Sequence, residues 1–242
     1  PNGEPLVSKT ESQVGKYADI DGDGNVDGII FADLMVGGSG QWNNNNDSTY
    51  NIPTISSSKD YYVSQKNYTN KLGGTADVLT TTGEGADRFY VMALEDYGVD
   101  SNNWVPVDHD WYNSAFQKIT DYNTVTKEDF GTGKQNTINM IDKWNSETYG
   151  IKNACSEHTD LWNEIQTQVN NGWFVPSRAE WSAFGTNLGL TSSNYLTKNL
   201  SNFYWSSSLM SESYVYISNF NGGCIIGTDV SDFHSVRLAT TF

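Results

Sequence analysis

The stretch Gly172–Phe184, GWFVPSRAEWSAF, decides how the rest of the chain is read. Within it Ser177-Arg-Ala-Glu180 is a capping box: the Ser oxygen accepts a backbone N–H while the Glu carboxylate reaches back to the cap. Pro176 disfavours helical geometry at Val175 and so sharpens the start. The helix then runs through Trp181 and Phe184 to about Leu188. Downstream, FYWSSS (Phe203–Ser208) and SVRLATTF (Ser235–Phe242) are equally directed, whereas the residues from Ser213 to His234 follow no such motif. Packing constrains interior positions closely, so an undirected stretch this long near the C-terminus is expected to face a partner.

Outward from this block, the local patterns alternate between helix and strand. Ile138, Ile141 and Trp144 recur at three-residue spacing and predict a helix over Asn136–Trp144. Leu161, Trp162, Ile165 and Val169 predict another over Thr159–Val169, with Thr159 as its cap. Tyr204–Ser208 reads as a strand. Ser213–Phe220 sets Tyr214, Tyr216, Ser218 and Phe220 against Val215, Ile217 and Asn219, a second strand. Asn221-Gly-Gly223 predicts a tight turn with successive positive φ values, Cys224–Thr228 the returning strand, and Ser235–Leu238 the last one. Upstream, the short Gly-bounded run Ile29–Val36 reads as a buried strand and Arg88–Leu94 as another. Gly37–Gly40 and Asn43–Asn46 read as loop, and the region between the two strands as turn-rich. Residues 1–18 are polar and read as a linker or N-terminal extension, with an opening PNGEP that implies a signal or anchoring segment further upstream. Helices clustered before late strands argue an α+β class.

The chain has 242 residues, enough for one large domain with a sizeable core, taken here as 19–242. Only 18% of residues are charged while 13% are aromatic, which fits a loop-rich globule pinned by rings and is commoner outside the cytosol. Twenty-nine acidic against 14 basic residues give a net charge of −15, so the long-range field repels nucleic acid and anionic membrane. No apolar run is long enough to span a bilayer. Two cysteines, Cys155 and Cys224, are too few for a disulfide framework.

One local motif carries metal chemistry. Asp19, Asp21, Asp23, Asn25 and Asp27 alternate with Ile, Gly, Gly and Val, converging hard oxygen ligands suited to a structural Ca²⁺. The segment resembles the DxDxDG loops of dockerins and thrombospondin-type repeats. It departs from the EF-hand at the twelfth position, where Ile30 stands in place of a bidentate Glu; Asp33 is the candidate replacement. The competing reading is an Asp/Gly turn that only starts a strand. Enzymatic signatures are missing. His109, His158 and His234 lack zinc spacing. Gly131-Thr-Gly-Lys134 fails as a phosphate loop, because Glu128 occupies the first glycine position and no Ser or Thr follows Lys134. There is no Gly-x-Ser-x-Gly elbow, and the chain is read as a non-enzyme.

The blocks WFVPSRAEW, YWSSS and VRLATTF resemble the C-terminal variable proteins of diversity-generating retroelements and related bacterial surface domains. DGIIFADLMVGGSGQW, RFYVMALED and FGTGKQNT resemble companion motifs of the same group more loosely. That resemblance implies a C-type lectin-like fold of the formylglycine-generating-enzyme type and a ligand-binding surface rewritten by adenine-directed mutagenesis over about 209–235. It further implies placement on a bacterial cell surface, in secretion or on a phage particle, and an unknown protein ligand, with glycan as second choice. Trp205, Phe220, Gly223, Val236 and Arg237 are implied as scaffold. The implied displayed set is Tyr214, Tyr216, Ile217, Asn219, Asn221, Cys224, Ile226, Thr228, Asp229, Asp232, Phe233 and His234, although family members often hold a core Trp at the position of Tyr216.

The letters themselves bear on that expectation. Rewriting the adenines of AAC or AAT codons cannot yield Lys, Gln, Glu, Met or Trp, and none of the five occurs between Ser213 and Ser235. Met210 and Glu212 place the edge of any variable tract after them. Cys224 lies in the accessible set and is read as a diversified free thiol rather than half of a bridge. The alternative is a fixed-sequence adhesin or pilus-tip domain of the same fold. A formylglycine-type oxidase needs two reactive cysteines in one cleft, and Cys155 and Cys224 sit in unrelated contexts.

Overall fold

The structure is a computed structural model and describes residues 5–98, 109–111, 119–146 and 159–242. In chain order its elements are β1 (Tyr17–Ala18), β2 (Gly28–Asp33), β3 (Gly38–Gln41), β4 (Thr49–Ile52), β5 (Tyr61–Asn70), β6 (Gly74–Thr81), β7 (Phe89–Ala93) and β8 (His109–Asp110). Then come α1 (Tyr122–Val125), α2 (Gly133–Asn145), β9 (Thr159–Asp160), α3 (Leu161–Glu164), α4 (Gln166–Asn170) and α5 (Arg178–Asn187). Strands β10 (Phe203–Leu209), β11 (Tyr214–Asn219), β12 (Cys224–Asp229), β13 (Phe233–His234) and β14 (Ala239–Thr241) close the chain. At 20% helix and 32% strand the protein is mixed α+β.

The strands form a six-stranded sheet in the order β14-β7-β2-β1-β6-β5, a three-stranded sheet β10-β11-β12, a small sheet β13-β8-β9, and the ribbon β3-β4. Every residue of β2 is buried. Ile29 and Phe31 point into the core beneath α5, while Ile30 joins Tyr61, Phe89 and Phe242 on the opposite face. A strand apolar on both sides must be covered on both sides. Helix α5 lies between the large sheet and the β10–β12 sheet. Phe184 meets Phe31 edge-on at 5.7 Å, and Trp181 stacks on Tyr204 at 5.1 Å. The Trp181 indole N–H donates to the Trp205 carbonyl at 3.1 Å. Gly185 lets the Trp42 ring lie directly on the helix, where a Cβ would collide with it.

The capping box forms as the sequence predicts, with Ser177 Oγ accepting from Glu180 N at 3.2 Å and Glu180 Oε2 accepting from Ser177 N at 2.7 Å. Its carboxylate does more than cap one helix. Oε1 also accepts the N–H groups of Gly131 at 3.0 Å and Gly133 at 3.2 Å, at the start of α2. The phosphate-loop-like Gly131-Thr-Gly133 therefore donates its N–H groups to the protein's own carboxyl group. A Cβ on Gly133 would overlap Glu180 Oε2, so glycine there is a packing requirement. One buried carboxylate thus joins the positive ends of two helices.

Several local expectations change. Residues 5–18 are not a linker: Leu6 bridges to Tyr62, Val7 is buried, and β1 sits inside the large sheet between β2 and β6. The buried pair Arg88–Asp33 holds this segment in place, since Arg88 Nη1 donates to Ser8 O at 2.9 Å and Nη2 to Glu11 O at 3.1 Å. The turn-rich region holds the long β5–β6 hairpin. Register shifts at Val63/Gln65 and Gln65/Tyr68 break its period-two pattern, and half of β5 is exposed, including four consecutive residues, so alternation is lost. On α2 the buried face is Asn136, Thr137, Met140 and Trp144, rotated from the Ile138–Ile141 face. The helix expected over Thr159–Val169 starts only after strand β9 and breaks at Ile165. The last strand is β14, not Ser235–Leu238.

Candidate recognition surface and acidic loop

The C-terminal sheet explains which side chains of the undirected segment can meet a partner. Strand β11 is central, paired antiparallel with β10 on one side and β12 on the other. Val215 and Ile217 sink among Trp144, Trp162 and Trp205, while Tyr216, Phe220 and Ile225 join the cluster around α5. With both faces covered, Tyr216 (7% exposed) and Ile217 (1%) are core, which corrects their placement in the displayed set. The Tyr216 ring lies beneath the Arg178 guanidinium at 5.7 Å, and burial pushes its hydroxyl up to about 12.

The other displayed positions lie at the surface to differing degrees. Tyr214, Asn221 and Phe233 are exposed; Asn219, Cys224, Ile226, Thr228, Asp229, Asp232 and His234 are half-buried. The hairpin loop is Phe220–Gly223, because Phe220 is drawn fully inward, and only Gly223 takes positive φ (64°). Asn219 Oδ1 accepts Gly222 N at 2.8 Å, and Asn43 Nδ2 donates to Gly223 O, so the loop is fastened at both ends. Beyond β12, Asp229 Oδ1 accepts from Ser231 N at 2.9 Å, Thr228 Oγ1 donates to Asp232, and buried Val230 plugs the turn. His234 packs edge-on to Trp205 at 4.6 Å, and burial pulls its pKa down to about 4, so the ring is neutral. Cys224 is a free thiol whose pKa burial raises; Cys155 and His158 lie outside the described residues.

The sequence reading missed Met210 and Tyr122. Met210 is 45% exposed beside Tyr214, and its sulfur packs where a Cβ on Gly227 would stand. Tyr122 of α1, Ser211, Glu212, Ser213 and Tyr214 surround an open depression of about 360 Å³. The codon argument had excluded Met210 from the variable set, so no sequence signal pointed to it as a neighbour of that set.

In the acidic loop Asp19, Asp21 and Asp27 bring carboxylate oxygens within 4.8 Å of one another. Asp19 is buried and anchored by Gly22 N at 2.9 Å and Gly24 N at 3.1 Å, and Asp27 accepts Ile20 N at 2.7 Å. Desolvation, then repulsion from Asp21, Asp19 and Asp23, raises the Asp27 pKa against that hydrogen bond. Asp23 stands outside the trio, its carboxylate taken by Asn25 N and Nδ2. Asp33 is not the missing ligand: Arg88 grips both its oxygens at 2.8 and 2.9 Å.

Among the described residues no helix is long and apolar enough to cross a membrane. No family model matches the chain, and no curated protein matches it in sequence.

Proposed function

We propose that this is a ligand-binding protein of C-type lectin-like fold whose hairpin β11–β12 and following turn form an exchangeable recognition surface for a protein ligand. The observation that carries the reading is the partition of one contiguous stretch. From Ser213 to Ser235, residues restricted to the adenine-rewritable set divide between sealed anchors (Val215, Phe220, Ile225, Val230) and accessible side chains (Tyr214, Asn221, Phe233). Tyr and Phe supply large contact area at low ordering cost. Substitutions at exposed positions usually change stability by only ~0.5 kcal/mol, so a rigid frame can carry many versions. Sequencing the DNA beside the gene tests this. A near-copy of the 3′ coding end differing at adenines, with a reverse transcriptase gene nearby, supports it. Uniform drift along the coding sequence of close relatives supports the fixed adhesin instead.

The same proposal assigns Asp19, Asp21 and Asp27 a structural Ca²⁺ that relieves their mutual repulsion. Adding EDTA is then expected to lower the Tm, because ligand binding to the folded state alone raises apparent stability. An unchanged Tm in calorimetry contradicts the calcium assignment.

A further inference from the structure

The chain has three arginines, Arg88, Arg178 and Arg237, and all three are held by the same two parts. Each guanidinium meets a carboxylate and lies over an aromatic ring. Arg88 pairs with Asp33 at 2.8 Å and stands 4.9 Å from the centre of the Phe89 ring. Arg178 pairs with Glu128 at 3.1 Å and stands 5.7 Å from the Tyr216 ring. Arg237 pairs with Asp96 at 2.7 Å and stands 5.6 Å from the Tyr204 ring. The carboxylate attracts the charge and accepts its N–H groups, while the ring offers a negative face.

A fourth set of these parts lies at the turn between β10 and β11, where Tyr122, Glu212 and Tyr214 line the open depression of about 360 Å³. Glu212 is exposed and makes no ion pair among the described residues. No Lys or Arg of the described residues lines the depression, and none occurs between Leu209 and Ser235. Lys143, the basic partner of Asp121 next to Tyr122, is engaged with that carboxylate at 2.9 Å. Asp229 stands opposite Tyr214 in the β11–β12 pairing and adds a second negative charge nearby. This wall discriminates between ligand classes. An anion is repelled by Glu212 and by the net charge of −15. A zwitterion carries its own carboxylate into the same field. A neutral group displaces water from Glu212 without supplying a counter-charge. A cation gains at both parts, and a planar guanidinium does so as the chain's own arginines do, stacked on a ring with its edge to a carboxylate.

We infer that the depression between Tyr122 and Tyr214 receives an arginine side chain of the protein partner, paired with Glu212. The inference rests on the proposed recognition surface and names the partner's chemistry there. Tyr214 belongs to the exchangeable stretch, whereas Tyr122 and Glu212 lie outside it, so the carboxylate and one ring are common to every version of the surface. The test is an amide-shift titration of the labelled protein with N-acetyl-arginine methylamide. Saturable shifts are expected at residues 122 and 211–214, with a dissociation constant of roughly 10 mM for so small a probe. The neutral isostere N-acetyl-citrulline methylamide is expected to bind about tenfold more weakly. Glu212→Gln is expected to weaken arginine binding by about the same factor. Glu84→Gln removes the same charge from an exposed site between β6 and β7 and is expected to leave that binding unchanged. Both substituted side chains are exposed, so both variants are expected to keep the wild-type spectrum elsewhere. The inference is overturned by the absence of saturable shifts at these residues, by equal binding of the citrulline probe, by unchanged binding to Glu212→Gln, or by an equal loss in both variants. Each of those results leaves the exchangeable surface standing, since the DNA beside the gene tests that reading separately.

Discussion

Replacing Glu180 by alanine is expected to destabilise the protein by about 3–5 kcal/mol, since three buried N–H groups lose their acceptor, at about 1–3 kcal/mol each, together with a helix cap worth about 1. For a domain of this size that lowers the Tm by roughly 10 °C. The loss reaches both helices, because one carboxylate holds the N-terminus of α5 through Ser177 and of α2 through Gly131 and Gly133. The effect carries a pH signature. Burial pushes the Glu180 carboxyl from 4.5 up to about 7, against three N–H groups that pull it down. A raised folded-state pKa contributes stability fully present below about 4.5 and lost as pH rises through about 7, on the order of 3 kcal/mol. Glu180→Ala therefore costs more at pH 5 than at pH 8. His234 acts in the opposite sense: with its pKa lowered from 6.5 to about 4, its contribution is present above 6.5 and lost as pH falls through about 4. In the wild type the two slopes oppose each other between these values. Thermal melts of both proteins across pH 4–8 check this, and a pH-independent difference between them contradicts the account of Glu180.

The second large effect is expected at Asp96. Its carboxylate receives Arg237 Nε and Nη2, Tyr204 OH at 2.9 Å and Ser201 Oγ at 3.0 Å, joining the end of β7, the segment before β10 and the chain's return into β14. The Tyr204 ring also lies under the guanidinium at 5.6 Å. Asp96→Ala leaves Arg237 buried without its counter-charge, a change that costs about 3–5 kcal/mol. Trimming the exposed ion pair Lys9–Asp60, at 2.7 Å, is expected to cost no more than about 0.5 kcal/mol. Denaturant unfolding of both variants checks the contrast; equal effects contradict the burial argument.

What could be read from the letters was local. The capping box and the YWSSS strand form where expected, and the buried strand expected over Ile29–Val36 forms as β2 but gives way to a turn after Asp33. What escaped depends on partners distant in sequence. Glu180 as the ligand of Gly131 and Gly133, and Asp96 as the counter-ion of Arg237, are pairings that no local pattern encodes. The β5–β6 hairpin was hidden by its bulges. Tyr216 and Ile217 look displayable because alternation cannot distinguish a central strand from an edge strand; the flanking β10 and β12 and the layers above and below seal them. Segment 5–18 looks like a linker because its anchors are backbone carbonyls, Ser8 O and Glu11 O, which sequence does not distinguish.

The most direct measurement is a complete single-substitution scan of residues 213–235, read by protease resistance of the displayed protein. Tyr214, Asn221 and Phe233 should accept nearly every residue with stability changes near ~0.5 kcal/mol. Val215, Ile217, Phe220 and Ile225 should lose about 2–5 kcal/mol on truncation to alanine. If the exposed positions prove as intolerant as the buried ones, the stretch is ordinary core-bound sheet and no exchangeable surface exists.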